Sequence, residues 1–108
     1  MIDWDRIDIL RSEVGPEDFG EVVELFLEEV DEVIAAMRDK TNTMTLAETM
    51  HFLKGSSLNL GFATFSSLCR GAEIMLAAGQ ADEIDMDEII DCYDASRQTF
   101  LEHVERAA

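Results

Sequence analysis

Met50-His51-Phe52-Leu53-Lys54-Gly55-Ser56-Ser57-Leu58-Asn59-Leu60-Gly61 is the stretch on which the reading of this chain turns. It carries one of the two histidines in 108 residues. Residues three and four apart on a helix are surface neighbours, so His51, Lys54 and Gly55 form one patch: an imidazole, a cation and a gap. At about 100° per residue, Leu46, Thr49, Met50, Leu53, Ser56, Ser57 and Leu60 face one way. Ala47, His51, Lys54, Gly55 and Leu58 face the other. Thr45-Leu46-Ala47-Glu48 fits a capping box at the start of this helix, and Gly61 suits a left-handed stop at its end. The two inward serines are small enough for a neighbouring helix to approach, with their hydroxyls bonded to the preceding turn.

The flanking sequence supplies the rest of a helical core. A short helix is expected from Trp4 to Ser12, capped by Asp3 and stapled by Ile2 and Ile7, as a lid on one end of the fold. Gly15-Pro16 breaks the chain and puts Pro16 in the favoured first position of a second helix. Its stripe is Phe19, Val22, Val23, Phe26, Val30, Val33, Ile34 and Met37. Glu24, Glu28, Glu29, Asp31 and Glu32 on its other faces read as a solvated surface. After the central helix, a fourth covers about residues 62 to 78, with Phe65, Leu68, Cys69, Ala72 and Leu76 inward and Gly79 as its stop. A fifth follows Asp82-Glu83-Ile84-Asp85, where Asp85 and Glu88 resemble a capping pair. It carries Met86, Ile89, Ile90, Tyr93, Phe100 and Val104 on its apolar face. Nothing alternates with the period of a strand. The expectation is one all-α domain over residues 1–108: an up-and-down antiparallel four-helix bundle with a short extra N-terminal helix.

Composition narrows the function classes. A formal charge of −16 argues against nucleic acid or anionic membrane as a partner, because both need a basic footprint. No apolar run approaches the ~20 residues of a membrane span, and the N-terminus lacks the basic and apolar regions of a secretory signal. A cytoplasmic protein is expected, with Cys69 and Cys92 as reduced thiols. Its charged exterior favours a monomer. The acids lack the spacing and glycine of a calcium loop. Only Glu48-Thr49-Met50-His51 has the Glu-x-x-His spacing of a bundle metal site, so no metal ligands are assigned. There is no phosphate-binding glycine loop.

The outward patch has its own chemistry. Lys54 lies one turn from His51, where it can screen an anion on the imidazole, and Arg70 is the next nearest cation. Gly55 costs about 1 kcal/mol relative to alanine in mid-helix, so a partner is expected to come close there. Phe52 and Leu58 give the histidine an exposed apolar rim. Glu73, on the edge of the next helix, can accept a hydrogen bond from one ring nitrogen if the two helices are adjacent. That bond would fix the tautomer and leave Nε2 free as a nucleophile. With no serine or cysteine nucleophile in reach, the chemistry indicated is phosphoryl transfer through the histidine itself. His103, in Leu101-Glu102-His103-Val104, has no such company and reads as a surface residue.

His51-Phe52-Leu53-Lys54-Gly55-Ser56-Ser57 followed by Asn59-Leu60-Gly61 resembles the signature of histidine-containing phosphotransfer (HPt) domains of bacterial two-component phosphorelays. Asp3-Trp4, Leu10, Gly15-Pro16-Glu17-Asp18-Phe19 and Phe26-Leu27-Glu28-Glu29-Val30 are similar to the family's opening, and Leu68-Cys69 with Glu73 to its next helix. The resemblance covers essentially the whole chain. It implies that His51 carries a phosphoryl group between aspartates of response-regulator receiver domains, or from a hybrid histidine kinase to a response regulator. Lys54 would be the phosphate-side cation, Glu73 the imidazole-orienting residue, and Gly55 the access point. Leu58, Phe52, Ala47 and Arg70 would form the docking surround. Where some members carry a second basic residue, this chain has Ala77, which leaves Arg70 as the helper of Lys54. The protein would be a phosphoryl carrier and not an enzyme. It would hold no intrinsic cofactor, Mg2+ being expected on the partner receiver. Two other readings stay open: a receiver-binding adaptor that transfers nothing, and a domain phosphorylated directly by a histidine kinase in trans.

Overall fold

The computed structural model describes residues 1–107, with side chains as far as His103. Val104, the last position of the expected apolar stripe, lies beyond those side chains. Five helices follow in order: α1 Trp4–Val14, α2 Phe19–Asp39, α3 Leu46–Asn59, α4 Ala63–Ala77 and α5 Met86–Ala107. A single 3-10 turn, Ala81–Glu83, joins the last two. Among the described residues there is no strand. The chain is all-α, as expected. The four longer helices form the up-and-down bundle, and α1 closes one end.

The core follows from helical spacing. Phe19, Val23, Leu27, Val30 and Ile34 on α2 are buried, as are Met50 and Leu53 on α3. So are Phe65, Cys69 and Ala72 on α4, and Ile89, Tyr93 and Phe100 on α5. Each set recurs at steps of three, four or seven residues, so one face of each helix is drawn inward. The α2 stripe is centred differently from the expected one. Leu27, absent from that stripe, is 6 % exposed, whereas Val22, Phe26, Val33 and Met37 are only partly buried along its flanks. Cys69 and Cys92 are free thiols. Burial pushes the Cys69 thiol up to about 12, so it behaves as a small apolar residue.

The helix ends show what fixes the connections. Thr45 and Glu48 form the complete capping box expected for α3. Pro16 is not the first residue of α2. The Gly15 carbonyl accepts the N–H groups of Asp18 at 3.2 Å and Phe19 at 3.0 Å. This closes a tight turn through Pro16 and Glu17, and the helix begins only once Phe19 has entered the core. Helix α1 runs two residues beyond the expected Ser12, and the Gly15 N–H bonds back to the Arg11 carbonyl at 2.9 Å.

Helix α1 is tied to the end of the bundle through the α3–α4 turn. The Asp3 N–H donates to the Gly61 carbonyl at 2.7 Å, and the Thr64 N–H to the Met1 carbonyl at 3.3 Å. Gly61 has φ +78, and a Cβ there would lie 2.8 Å from the Asp3 carbonyl oxygen. Conformation and close approach both demand glycine. Trp4 packs against Phe100 and lies 4.0 Å, centroid to centroid, from the ring of His103. His103 is exposed, as expected, and its ring also covers Trp4 in the α1–α5 contact.

Asp31, expected among the solvated acids, is instead held between α2 and α5. Its carboxylate accepts the Tyr93 hydroxyl at 2.5 Å. It also accepts from Arg97, whose Nε lies 3.0 and 3.2 Å from its two oxygens and whose terminal nitrogen lies at 2.9 Å. Arg38 and Asp94 add an exposed ion pair across the same seam. Asp31 thus joins α2 to α5 and satisfies the phenol of Tyr93, a residue that is 2 % exposed. Burial, and then the hydrogen bond to Asp31, raise the phenol well above its ordinary range.

Removing the acceptor strands a buried donor, whereas removing the donor leaves a carboxylate still held by Arg97. Asp31→Ala should therefore lower the free energy of unfolding in urea by about 1–3 kcal/mol, and Tyr93→Phe by less. An unchanged Asp31→Ala midpoint would show that the clamp carries no stability.

Candidate functional site

The site is built on the α3–α4 hairpin. Met50 and Leu53 on α3 and Phe65 and Cys69 on α4 are all 0 % exposed. They fix the rotation of both helices. With Met50 and Leu53 pointing inward, His51 between them must point out, and its side chain is 78 % exposed. With Cys69 and Ala72 pointing inward, Glu73 lies on the α4 edge that borders α3. The Ser66 hydroxyl donates to the Lys54 carbonyl at 3.1 Å and bonds the helices at this level. Nothing in the residue spacing had marked Ser66. Ser57 is buried as expected, but its hydroxyl has no partner among the described residues, in contrast to the expected bond to the preceding turn.

Three charged or titratable groups meet here. The His51 Nδ1 lies 3.2 Å from the Glu73 Oε1. The Lys54 Nζ donates to the other oxygen, Oε2, at 2.8 Å. One carboxylate therefore holds the imidazole with one oxygen and the ammonium with the other. The Glu73 side chain is 22 % exposed and that of Lys54 30 %. The Lys54 hydrogen bond, above all, holds the Glu73 carboxyl below the usual range, with a smaller pull from His51 opposing the effect of partial burial. Glu73 is thus an anion at neutral pH and can only accept. A neutral His51 bonded to it must carry its proton on Nδ1, with an unprotonated Nε2 facing solvent.

The other expected residues divide. Ala47 and Gly55 are exposed on the His51 face, and Leu58 is 60 % exposed. A Cβ added at Gly55 would meet nothing within 4 Å, so nothing inside the chain requires glycine there. Phe52, expected on the exposed rim, is instead partly buried against the core. Its phase lies between the two faces of α3, and the ring turns inward. Arg70 is exposed and shares a surface groove with Lys54, Leu58, Ala63, Ser66 and Ser67. Ile74, not singled out by the sequence, is 60 % exposed on α4 beside Glu73. Its place outside the inward stripe of α4 is the signal that could have identified it.

Among the described residues no group of three or more His, Cys, Asp or Glu side chains is arranged to hold a metal ion. Glu48, the one residue with ligand spacing to His51, accepts the Thr45 N–H at 3.2 Å and the Thr45 hydroxyl at 2.8 Å. No described helix is long and apolar enough to cross a membrane.

A family model for the Hpt domain matches residues 21–105. Comparison with curated proteins and with solved structures gives no significant match. The matched span takes in α3 and α4 entire, and with them His51, Lys54 and Glu73. The chain belongs to the Hpt domain family, the helical phosphocarrier modules of histidine phosphotransfer phosphorelays.

Proposed function

We propose that His51 is the phosphoryl-carrying residue, accepting from the aspartyl phosphate of one receiver domain and passing the group to the aspartate of another. The donor domain is that of a response regulator or that of a hybrid histidine kinase. The observation that carries this reading is the 3.2 Å contact of His51 Nδ1 with Glu73 on an imidazole that is 78 % exposed. In the forward step the Nε2 lone pair forms the N–P bond as the bond from phosphorus to the aspartate oxygen breaks. The aspartate leaves as a carboxylate. The proton stays on Nδ1, where Glu73 holds it and stabilises the positive charge that the ring acquires.

Lys54 is the cation for the phosphoryl oxygens. In the free protein its ammonium rests on Glu73, within one side-chain swing of the imidazole. Mg2+ would be supplied by the partner receiver. The open space at Gly55 supports its role as the access point, since a helix-weakening residue with no internal cause fits an external one. On this reading the protein is a carrier and not an enzyme, and it works as a cytoplasmic monomer.

Receiver domains charged with radiolabelled acetyl phosphate should label the protein at one acid-labile site. His51→Gln should abolish the label while leaving helicity and melting temperature unchanged. A labelled variant would refute the assignment, and stable receiver binding without label on the wild type would favour the adaptor reading. Gly55→Ala separates folding from function: it should raise stability by about 0.5–1 kcal/mol while slowing transfer about tenfold or more, because displacing the reacting atoms is costly. Transfer at the wild-type rate would remove Gly55 from the site.

A further inference from the structure

The charge of −16 is not spread over the molecule. Between Thr45 and Gly79 the acids Glu48 and Glu73 are matched by Lys54 and Arg70, so the whole net charge lies outside the α3–α4 hairpin. The two bases are not equivalent. Lys54 is bonded to Glu73. Arg70 is exposed and makes no ion pair among the described residues. It opens onto the groove lined by Lys54, Leu58, Ala63, Ser66 and Ser67, which contains no carboxylate. An exposed guanidinium with no ion-pair partner among the described residues, in a groove lined by no acid on an otherwise strongly acidic protein, is free to meet a complementary anion.

We propose that this groove seats an Asp or Glu side chain that the partner protein carries beside its transferring aspartate, and that Arg70 selects the receivers bearing it. The inference rests on the carrier reading of His51. The guanidinium fork matches a carboxylate or a phosphate in two parallel bonds, so position decides between them. The groove lies to one side of the imidazole and is bordered by the exposed Leu58, which a docked protein carrying a carboxylate would cover and a small ion would not. The remainder of the chain adds orientation. An acidic partner is repelled by every acidic face and meets no net charge only at the hairpin, so productive encounters are those that arrive over His51.

The test measures label transfer from receiver domains charged with radiolabelled acetyl phosphate, using wild type, Arg70→Lys and Arg70→Gln, which removes the charge without putting a carboxylate beside Lys54. Arg70 touches no described partner, so all three should melt alike. With receivers that label the wild type, Arg70→Gln should raise KM about tenfold at low salt, with kcat little changed and the deficit shrinking as salt shortens the screening length. Arg70→Lys, which keeps the charge and loses the fork, should fall between. Arg70→Gln behaving like wild type would overturn the inference and leave the carrier reading standing. A salt-independent loss in kcat alone would also overturn it, by assigning Arg70 to the phosphoryl group. A wild type that no receiver labels would overturn the carrier reading and this inference with it.

Discussion

One carboxylate organises the His51 face of the α3–α4 hairpin. Glu73 accepts from Lys54 at 2.8 Å and lies 3.2 Å from the His51 Nδ1, so a single anion sets the tautomer of the imidazole and holds the nearby ammonium. Removing it would free both groups. Neither depends on a deep pocket, since His51 is mostly in water. Its orientation comes from one hydrogen bond, and that bond is only as well defined as the relative placement of α3 and α4.

That placement is where the core meets the site. Met50, Leu53, Phe65 and Cys69 exclude water entirely and set the rotation of the two helices, and Ser66 bonds them at the level of Lys54. At the far end, Gly61 turns the chain with a left-handed conformation, and α1 bonds to that turn through Asp3. Across the bundle, Asp31 with Tyr93 and Arg97 joins α2 to α5. Rigid elements held by packing are a better base for a positioned side chain than loops. The exposed histidine inherits its precision from buried neighbours one and two residues away.

Much of this was legible from residue order, because helix phase is local. The outward set of Ala47, His51, Lys54, Gly55 and Leu58, the Thr45 cap and the Gly61 stop all follow from periodicity and capping chemistry. The link from His51 to Glu73 was legible as a condition: it needed α3 and α4 to be neighbours. What periodicity could not give was the reach of long side chains. Lys54 lies one turn from His51, yet its ammonium ends on Glu73, a choice made by the neighbouring helix. Asp31 is indistinguishable in sequence from the other acids of α2, and only the register of α5 brings Tyr93 and Arg97 to it. His103 acquires its contact from Trp4, nearly the whole chain away. Phe52 and Val22 sit at boundary phases, where the surrounding helices decide how far they are buried. Pro16 carried a real local signal, but the turn from α1 into α2 used it before the helix began.

The tautomer of His51 tests the central claim most directly. Nitrogen-15 chemical shifts of its ring, measured by NMR at a pH where the imidazole is neutral, distinguish a protonated Nδ1 from a protonated Nε2. The wild type should show the proton on Nδ1, and Glu73→Ala should lose that preference. A wild-type ring protonated on Nε2, or a tautomer indifferent to Glu73, would contradict the assignment of Nε2 as the nucleophile and Glu73 as its orienter.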